Sequence, residues 1–388
     1  MGMGTDMDMG MDQRVVAKKN VRLSAAAKYL ANNSRDGLIA ASNGLNNFLE
    51  SNAVYVLSGV RPMGESAVVV DRDGRSTLIV TPAWDAERAA SLSWTDHTVA
   101  TDDLAAELAS AVVEYHIAVP RSLSVGLSLL GSGVVARIEA ALGVLPQAAD
   151  ELARDLARIR TAEELKAAEH ATWIAERGYE HLLECARPGM REYELAAELY
   201  CFSKKLGAED NFLLMSASQH NLAVRAAGER ILDVGDIILS EITPCYRGQF
   251  AQICRTTAIG EPRPVVRDKY AILQDAMRAG LEAGRAGTTV AEVTRAINGV
   301  ITEAGYGDYC RPPYMRVRGH GLGITSDRPG DIVDSNERVL ENGMVFVMHP
   351  NQYIPESGYL MCGEPVVVTD QGCRALSAQL AQLDVIPV

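Results

Sequence analysis

Apolar and polar positions alternate along this chain in two rhythms, one of about two residues and one of three to four, and the switches between them mark out its elements. The stretch from Ala25 to Asn43 is amphipathic, and Ala53 to Leu57 reads as a strand. Ala67 to Val70 and Thr77 to Val80 are β-rich runs around Asp71-Arg72-Asp73-Gly74, which predicts a hairpin. Leu104 to Tyr115 and Ser132 to Leu142 carry the helical rhythm, with Ser122 to Leu127 a strand between them. Together these make an α/β domain over residues 21–150.

Beyond it the helical signals strengthen. Thr161 with Glu164 forms a capping box, in which hydroxyl and carboxylate satisfy free amides at a helix start. Leu165, Ala168, Ala171, Ile174, Gly178, Leu182 and Cys185 then line one face, and Pro188-Gly189 ends the run. A second helix is predicted from Glu192 to Leu206, stopped by Gly207. Thr289 with Glu292 is another capping box, opening a helix with Val293, Ile297, Val300, Ile301 and Ala304 inward. Between the helix pairs lie the strand patterns Ile237 to Thr243, Phe250 to Ile259, Met344 to Met348 and Pro365 to Thr369. The expected fold class is therefore α+β, with a second domain over residues 151–388.

Length and composition narrow the picture. A chain of 388 residues suits about two domains, and 47% apolar with 22% charged residues is ordinary for a globular protein. The formal charge of −13, with no local basic stripe, disfavours a nucleic-acid partner. Residues 1–20 open with acids and lack an apolar core, so they read as a mobile tail rather than a secretory signal. No segment approaches the roughly 20 apolar residues of a membrane span. Seven cysteines without a CxxC pair suggest reduced thiols and a cytoplasmic location.

The candidate chemistry sits in four segments: Ser218-Gln219-His220-Asn221, Gly235 to Thr256, Gly319-His320-Gly321-Leu322-Gly323, and Met348-His349-Pro350-Asn351. In this order they resemble the pita-bread superfamily of methionine aminopeptidase, prolidase, aminopeptidase P and creatinase. The resemblance implies a pita-bread catalytic domain over residues 151–388 behind a smaller creatinase/prolidase-like N-terminal domain. Peptidases of this fold hold two metal ions with two aspartates, one histidine and two glutamates. The matching places here carry Glu241, Gln252, His320, His349 and Gly363, with Glu364 one step along. A glutamine does not supply the anionic charge a metal pair needs, and a glycine supplies no ligand. Creatinase, which cleaves a C–N bond with a histidine and no metal, fits these residues better.

On that resemblance His220 matches the creatinase histidine that moves a proton between water and the departing nitrogen. Histidine suits such work because an unperturbed imidazole both accepts and donates near neutral pH. Arg328 falls near the arginine that holds the substrate carboxylate, and a guanidinium fork matches a carboxylate bidentately. His349 and Cys254 replace two creatinase glutamates, which argues against creatine itself. Glu241 and His349 are expected to orient His220 and the water molecule, unless Glu241 instead pairs with Arg255 or Arg247. His320, Gln252 and Cys254 are expected to line the substrate, with Cys254 as a nucleophile the minor alternative.

The reading that results is a metal-independent, creatinase-like hydrolase or lyase acting on a C–N bond of a small carboxylate-bearing nitrogen compound, with no cofactor. Relatives of this type are homodimers whose N-terminal domain closes the partner's site, which would bring Arg61 or Glu65 to it. Two other readings stay open: a mononuclear metalloenzyme using Glu241, His320, His349 and Glu364, and a binding protein on a retired peptidase fold.

Overall fold

A computed structural model describes residues 21–388 except Ser51, Thr325 and Ser326, so the expected mobile tail over residues 1–20 lies outside the described residues. The chain divides into two compact units, Met1–Ala157 and Arg158–Val388.

In the N-terminal unit, helix α1 (Val21–Asn32) leads into strand β1 (Gly37–Ser42). Helix α2 (Ala53–Ser58) precedes the hairpin of β2 (Ser66–Asp71) and β3 (Ser76–Val80). Helix α3 (Ala86–Leu92), β4 (His97–Ala100), α4 (Leu104–Glu114), β5 (Leu123–Val125), α5 (Ser132–Leu142), β6 (Gln147–Ala148) and α6 (Asp150–Ala157) follow. The six strands form one mixed sheet in the order β4-β3-β2-β1-β5-β6. Its hairpin pairs Val69 with Thr77 around the predicted turn, where the Asp71 carboxylate accepts hydrogen bonds from the Asp73 and Arg75 amides, both at 2.9 Å.

Two expectations fail here for local reasons. Ala53 to Leu57 is helical rather than extended, because the Asn52 side chain caps its start by accepting from Tyr55 N and Gly59, at φ 74°, ends it. A run of five apolar residues carries no period of its own, so the caps decide. The amphipathic stretch from Ala25 to Asn43 divides after Asn32 into a helix and a fully buried strand.

The C-terminal unit begins with the antiparallel pair α7 (Ala162–Cys185) and α8 (Glu192–Lys205), and the Thr161/Glu164 capping box is complete. The first four strands of a five-stranded sheet follow, β7 (Asp210–Ser218), β8 (Ile237–Tyr246), β9 (Gln249–Phe250) and β10 (Ile253–Ile259). Helices α9 (Pro264–Ala283) and α10 (Val290–Ile301) make the second pair, the latter opened by the Thr289/Glu292 box. Strands β11 (Gly319–Gly321), β12 (Val345–Met348), β13 (Gln352–Ile354), β14 (Gly358–Leu360), β15 (Glu364–Val368), β16 (Cys373–Ala375) and β17 (Leu383–Ile386) complete the unit. β17 joins the first sheet beside β10, β11-β12-β15-β16 form a second sheet, and β13-β14 stand as a hairpin. The predicted strand Phe250 to Ile259 is interrupted at Ala251 and Gln252, and Ala304 is exposed beyond the end of α10 instead of facing inward.

Alternation along β8 sorts the apolar core. Ile238 and Ile242 pack under α7 and α8, whereas Ile237 and Leu239 face the cluster built with α9, α10 and the second sheet. Glu241 shares the second face. The two sheets meet where Cys254 and Gly363 exchange backbone hydrogen bonds, Cys254 N to Gly363 O at 3.0 Å and Gly363 N to Cys254 O at 3.1 Å.

Candidate active site

The β8–β10 register places Glu241 directly opposite Cys254, so both side chains leave the sheet on one face. Thr243 and Gln252 extend that face by the same alternation. Across the seam, Gly363 touches Cys254 and His349 closely: a Cβ there would lie 2.7 Å from Cys254 Sγ and 2.9 Å from the His349 Cβ. His349 follows β12, its N–H donating to Arg318 O at 3.0 Å, and its ring meets that of His320 edge-on at 5.7 Å between centroids. The structure thus gathers Glu241, Gln252, Cys254, His320 and His349 around one seam.

Polar groups here lack partners. Among the described residues Thr243 Oγ1, Gln252 Oε1 and His349 Nδ1 are buried without a hydrogen bond, and Gln252 Nε2 donates to Cys254 Sγ at 3.8 Å. Glu241 accepts no hydrogen bond and joins no ion pair with any described residue, so its expected pairing with Arg255 or Arg247 does not form. Burial alone pushes its carboxyl up to about 7. Arg255 turns to the opposite side of the sheet and binds Glu364 at 3.0 Å. Glu364 also accepts from Ser377 Oγ at 2.5 Å and Ala381 N at 2.6 Å, so it faces away from Glu241 and does not join His320 and His349.

Burial brings the imidazole of His349 down to about 3, with His320 and Arg318 adding to the effect. His320 is lowered too, chiefly by burial and partly offset by its Nδ1 contact with Gly321 O at 3.0 Å. Both rings are therefore neutral at physiological pH. Cys254 is raised, first by burial and then by Glu241, so its thiol stays protonated and the nucleophile alternative loses its thiolate.

His220 takes a different place from the other two histidines. It is exposed at the end of β7, edge-on to Tyr353 with centroids 6.0 Å apart. Its segment is held at both ends: the Glu192 carboxylate accepts from Ala217 N and Gly228 N, Asn221 Nδ2 donates to Ile237 O at 2.8 Å, and Asn221 O accepts from Tyr359 N at 2.6 Å. Tyr353 is the cross-strand partner of Tyr359, whose hydroxyl is raised by burial and then by Cys254 and Glu241. His220 consequently stands on a rim of tyrosines rather than beside His349.

Arg328 is half-buried in the loop after Gly323, next to Asp327, which is locked to Arg160 at 3.0 Å. The Gly-His-Gly signal proves to be about backbone packing, since a Cβ at Gly321 would lie 1.6 Å from Asp327 O. Arg61 belongs to the N-terminal unit, where its Nη2 donates to Asn46 O at 3.0 Å. Thr243, Asn351, Tyr353 and Tyr359 were missed. Asn351 stood within a noted segment, and the period of β8 pointed to Thr243, but the tyrosines carried no signal because only the β13–β14 register brings them together.

Among the described residues, no group of three or more His, Cys, Asp or Glu side chains is placed to hold a metal ion. With a neutral glutamine, a bare Gly363 and a committed Glu364, the donor set does not fit a metal pair.

Two sheets flanked by two helix pairs, with the seam between the sheets, define a protein of the pita-bread class. The sequence profile of metallopeptidase family M24 matches residues 166–370, and the chain belongs to that family. It is 28% identical over 361 residues to the Xaa-Pro dipeptidase of Pyrococcus furiosus, covering 92% of this chain and 97% of that one. An uncharacterised peptidase of Bacillus subtilis is 30% identical over 231 residues, 58% of this chain and 64% of that protein. Among solved structures, an Xaa-Pro dipeptidase from Bacillus anthracis superposes with a TM-score of 0.82 at 25% identity, over 95% of this chain and 99% of that one. The dipeptidase PepE of Mycobacterium ulcerans gives 0.78 at 26%, over 97% and 100%. These relatives set the chain among peptidase-like hydrolases and bear out the expected superfamily and fold.

Proposed function

We propose that the chain is a metal-independent hydrolase that cleaves a C–N bond of a small, carboxylate-bearing nitrogen compound. The observation that carries this reading is Glu241, a carboxyl without a partner, surrounded by buried polar atoms that no protein group satisfies. Orphaned buried groups are costly, and a bound substrate or water satisfies them.

In this scheme the ionised Glu241 takes a proton from water as the water oxygen bonds to the carbon. The C–N bond then breaks with its electron pair on nitrogen, which receives a proton from His220 at the rim. Gln252, neutral His349 and neutral His320 orient the reacting group, Cys254 packs against it as a thiol, and Arg328 holds the carboxylate. Arg61 reaches the site from the N-terminal domain of the second subunit of a homodimer. Since several relatives are Xaa-Pro dipeptidases, Xaa-Pro dipeptides are the competing substrate class, and both belong in one screen.

The test incubates chelator-treated protein, its Glu241→Gln and its His220→Ala forms with a small-metabolite library and with Xaa-Pro dipeptides, each with and without manganese. Conversion of a small nitrogen compound without metal, lost in Glu241→Gln, is the expected result. Turnover of dipeptides alone, and only with manganese, would replace this reading with a metallopeptidase.

A further inference from the structure

Arg318 is among the largest fully buried side chains of the protein. All of its hydrogen bonds go to uncharged acceptors. Nε donates to Asn298 Oδ1 of α10 at 2.7 Å, Nη1 to Asn351 O at 2.9 Å, and Nη2 to Gln352 Oε1 at 2.8 Å and Cys310 Sγ at 3.3 Å. No described carboxylate forms an ion pair with it, and burial lowers its proton affinity below the usual arginine range. Burying a guanidinium in this position carries a desolvation cost, and an apolar side chain of similar volume would fill the space more cheaply. Packing alone does not account for it.

What the fork does is tie together two parts of the active site. Arg318 holds the His349 segment from both sides, its own carbonyl accepting His349 N–H at 3.0 Å and its guanidinium gripping the Asn351 carbonyl two residues on. Through Gln352 the same guanidinium reaches the rim, because Gln352 Nε2 donates to Tyr353 O at 2.9 Å and Tyr309 O at 2.8 Å. Tyr353 is the ring against which His220 stands. The hydrogen-bonded path from Arg318 thus runs to His349 in one direction and to the wall of His220 in the other.

We propose that Arg318 is a positioning residue that fixes the distance between His349 and the tyrosine wall carrying His220. A planar fork with several donors at fixed angles suits this role, whereas a lysine supplies charge without the geometry. The proposal rests on the active-site reading above for its catalytic consequence, but the placement itself is tested without any substrate.

The experiment records histidine ring 15N–1H correlation spectra of the full chain and of Arg318→Lys, with His349→Gln and His220→Ala supplying the assignments. The ring signals of both His349 and His220 are expected to move or broaden in Arg318→Lys, while those of His97, His116, His170 and His181 stay in place. Unchanged His349 and His220 signals in a folded Arg318→Lys would overturn the proposal. Should that variant fail to fold, Asn298→Ala, which releases only Nε at a half-buried position, is read by the same signals and the same criterion. With a substrate in hand, kcat should fall by about tenfold to a hundredfold while KM changes little. A rise in KM at constant kcat would instead make Arg318 a binding residue and sink the positioning role. A failed substrate screen would count against the proposed reaction and leave the spectral result standing.

Discussion

Glu241 and His349 face one seam and are perturbed in opposite senses, so the pH dependence of stability separates them. Glu241 binds its proton more tightly folded, at about 7, than unfolded, at 4.5. Its contribution is complete below 4.5 and is lost as pH rises to 7, by at most about 3 kcal/mol. His349 binds its proton less tightly folded, at about 3, than unfolded, at 6.5. Its contribution is complete above 6.5 and is lost as pH falls toward 3, by at most about 5 kcal/mol. Between 4.5 and 6.5 the two slopes oppose one another. Urea unfolding from pH 4.5 to 6.5 should therefore show stability rising with pH more steeply than wild type in Glu241→Gln and less steeply than wild type in His349→Gln, where the lowered His320 still adds its own rise. Parallel curves for the two variants would refute the assigned shifts. At Gly363, any Cβ enters the space of Cys254 and His349, so Gly363→Ala should cost about 1–3 kcal/mol by overpacking, read from the same urea midpoints. The individual histidines and Glu241 were legible in the sequence through the resemblance of their flanking segments to the superfamily's site. Their grouping was not, since whether His220 joins His349 or stands on the rim depends on the pairing of β13 with β14.

At the scale of elements, what could be read from the chain was what local chemistry fixes. The two capping boxes name their own helix starts, and Thr161→Ala should lower stability by about 1 kcal/mol, measurable as a shifted denaturation midpoint. Ala53 to Ser58 could not be read in this way, because apolar residues on every side suit a buried strand and a buried helix alike. Glu364 shows a related limit: one residue of register decides whether it faces the histidines or Arg255, and a strand's sequence leaves that register unstated. Arg255→Met should strand the Glu364 carboxylate without its cation and destabilise the fold by about 3–5 kcal/mol. The paired change of Arg255→Met with Glu364→Leu should recover much of that loss, which a double-mutant cycle measures.

For the whole molecule, the proposed homodimer makes a further prediction. If Arg61 completes the partner's site, mixing inactive Arg61→Ala with inactive Glu241→Gln protein should yield some dimers with one intact site, and activity up to about a quarter of wild type by random pairing of two subunit types. Activity that stays absent after verified subunit exchange would locate Arg61 outside the site.

The contact between Gly363 and Cys254 also bears on how this seam can change over generations. An acidic side chain at position 363 crowds both the Cys254 side chain and the His349 Cβ, so it fits only after one of these neighbours has given way. Laboratory selection for cation-dependent turnover should accordingly recover changes at 254 or 349 ahead of the one at 363, giving the seam an order of mutational steps.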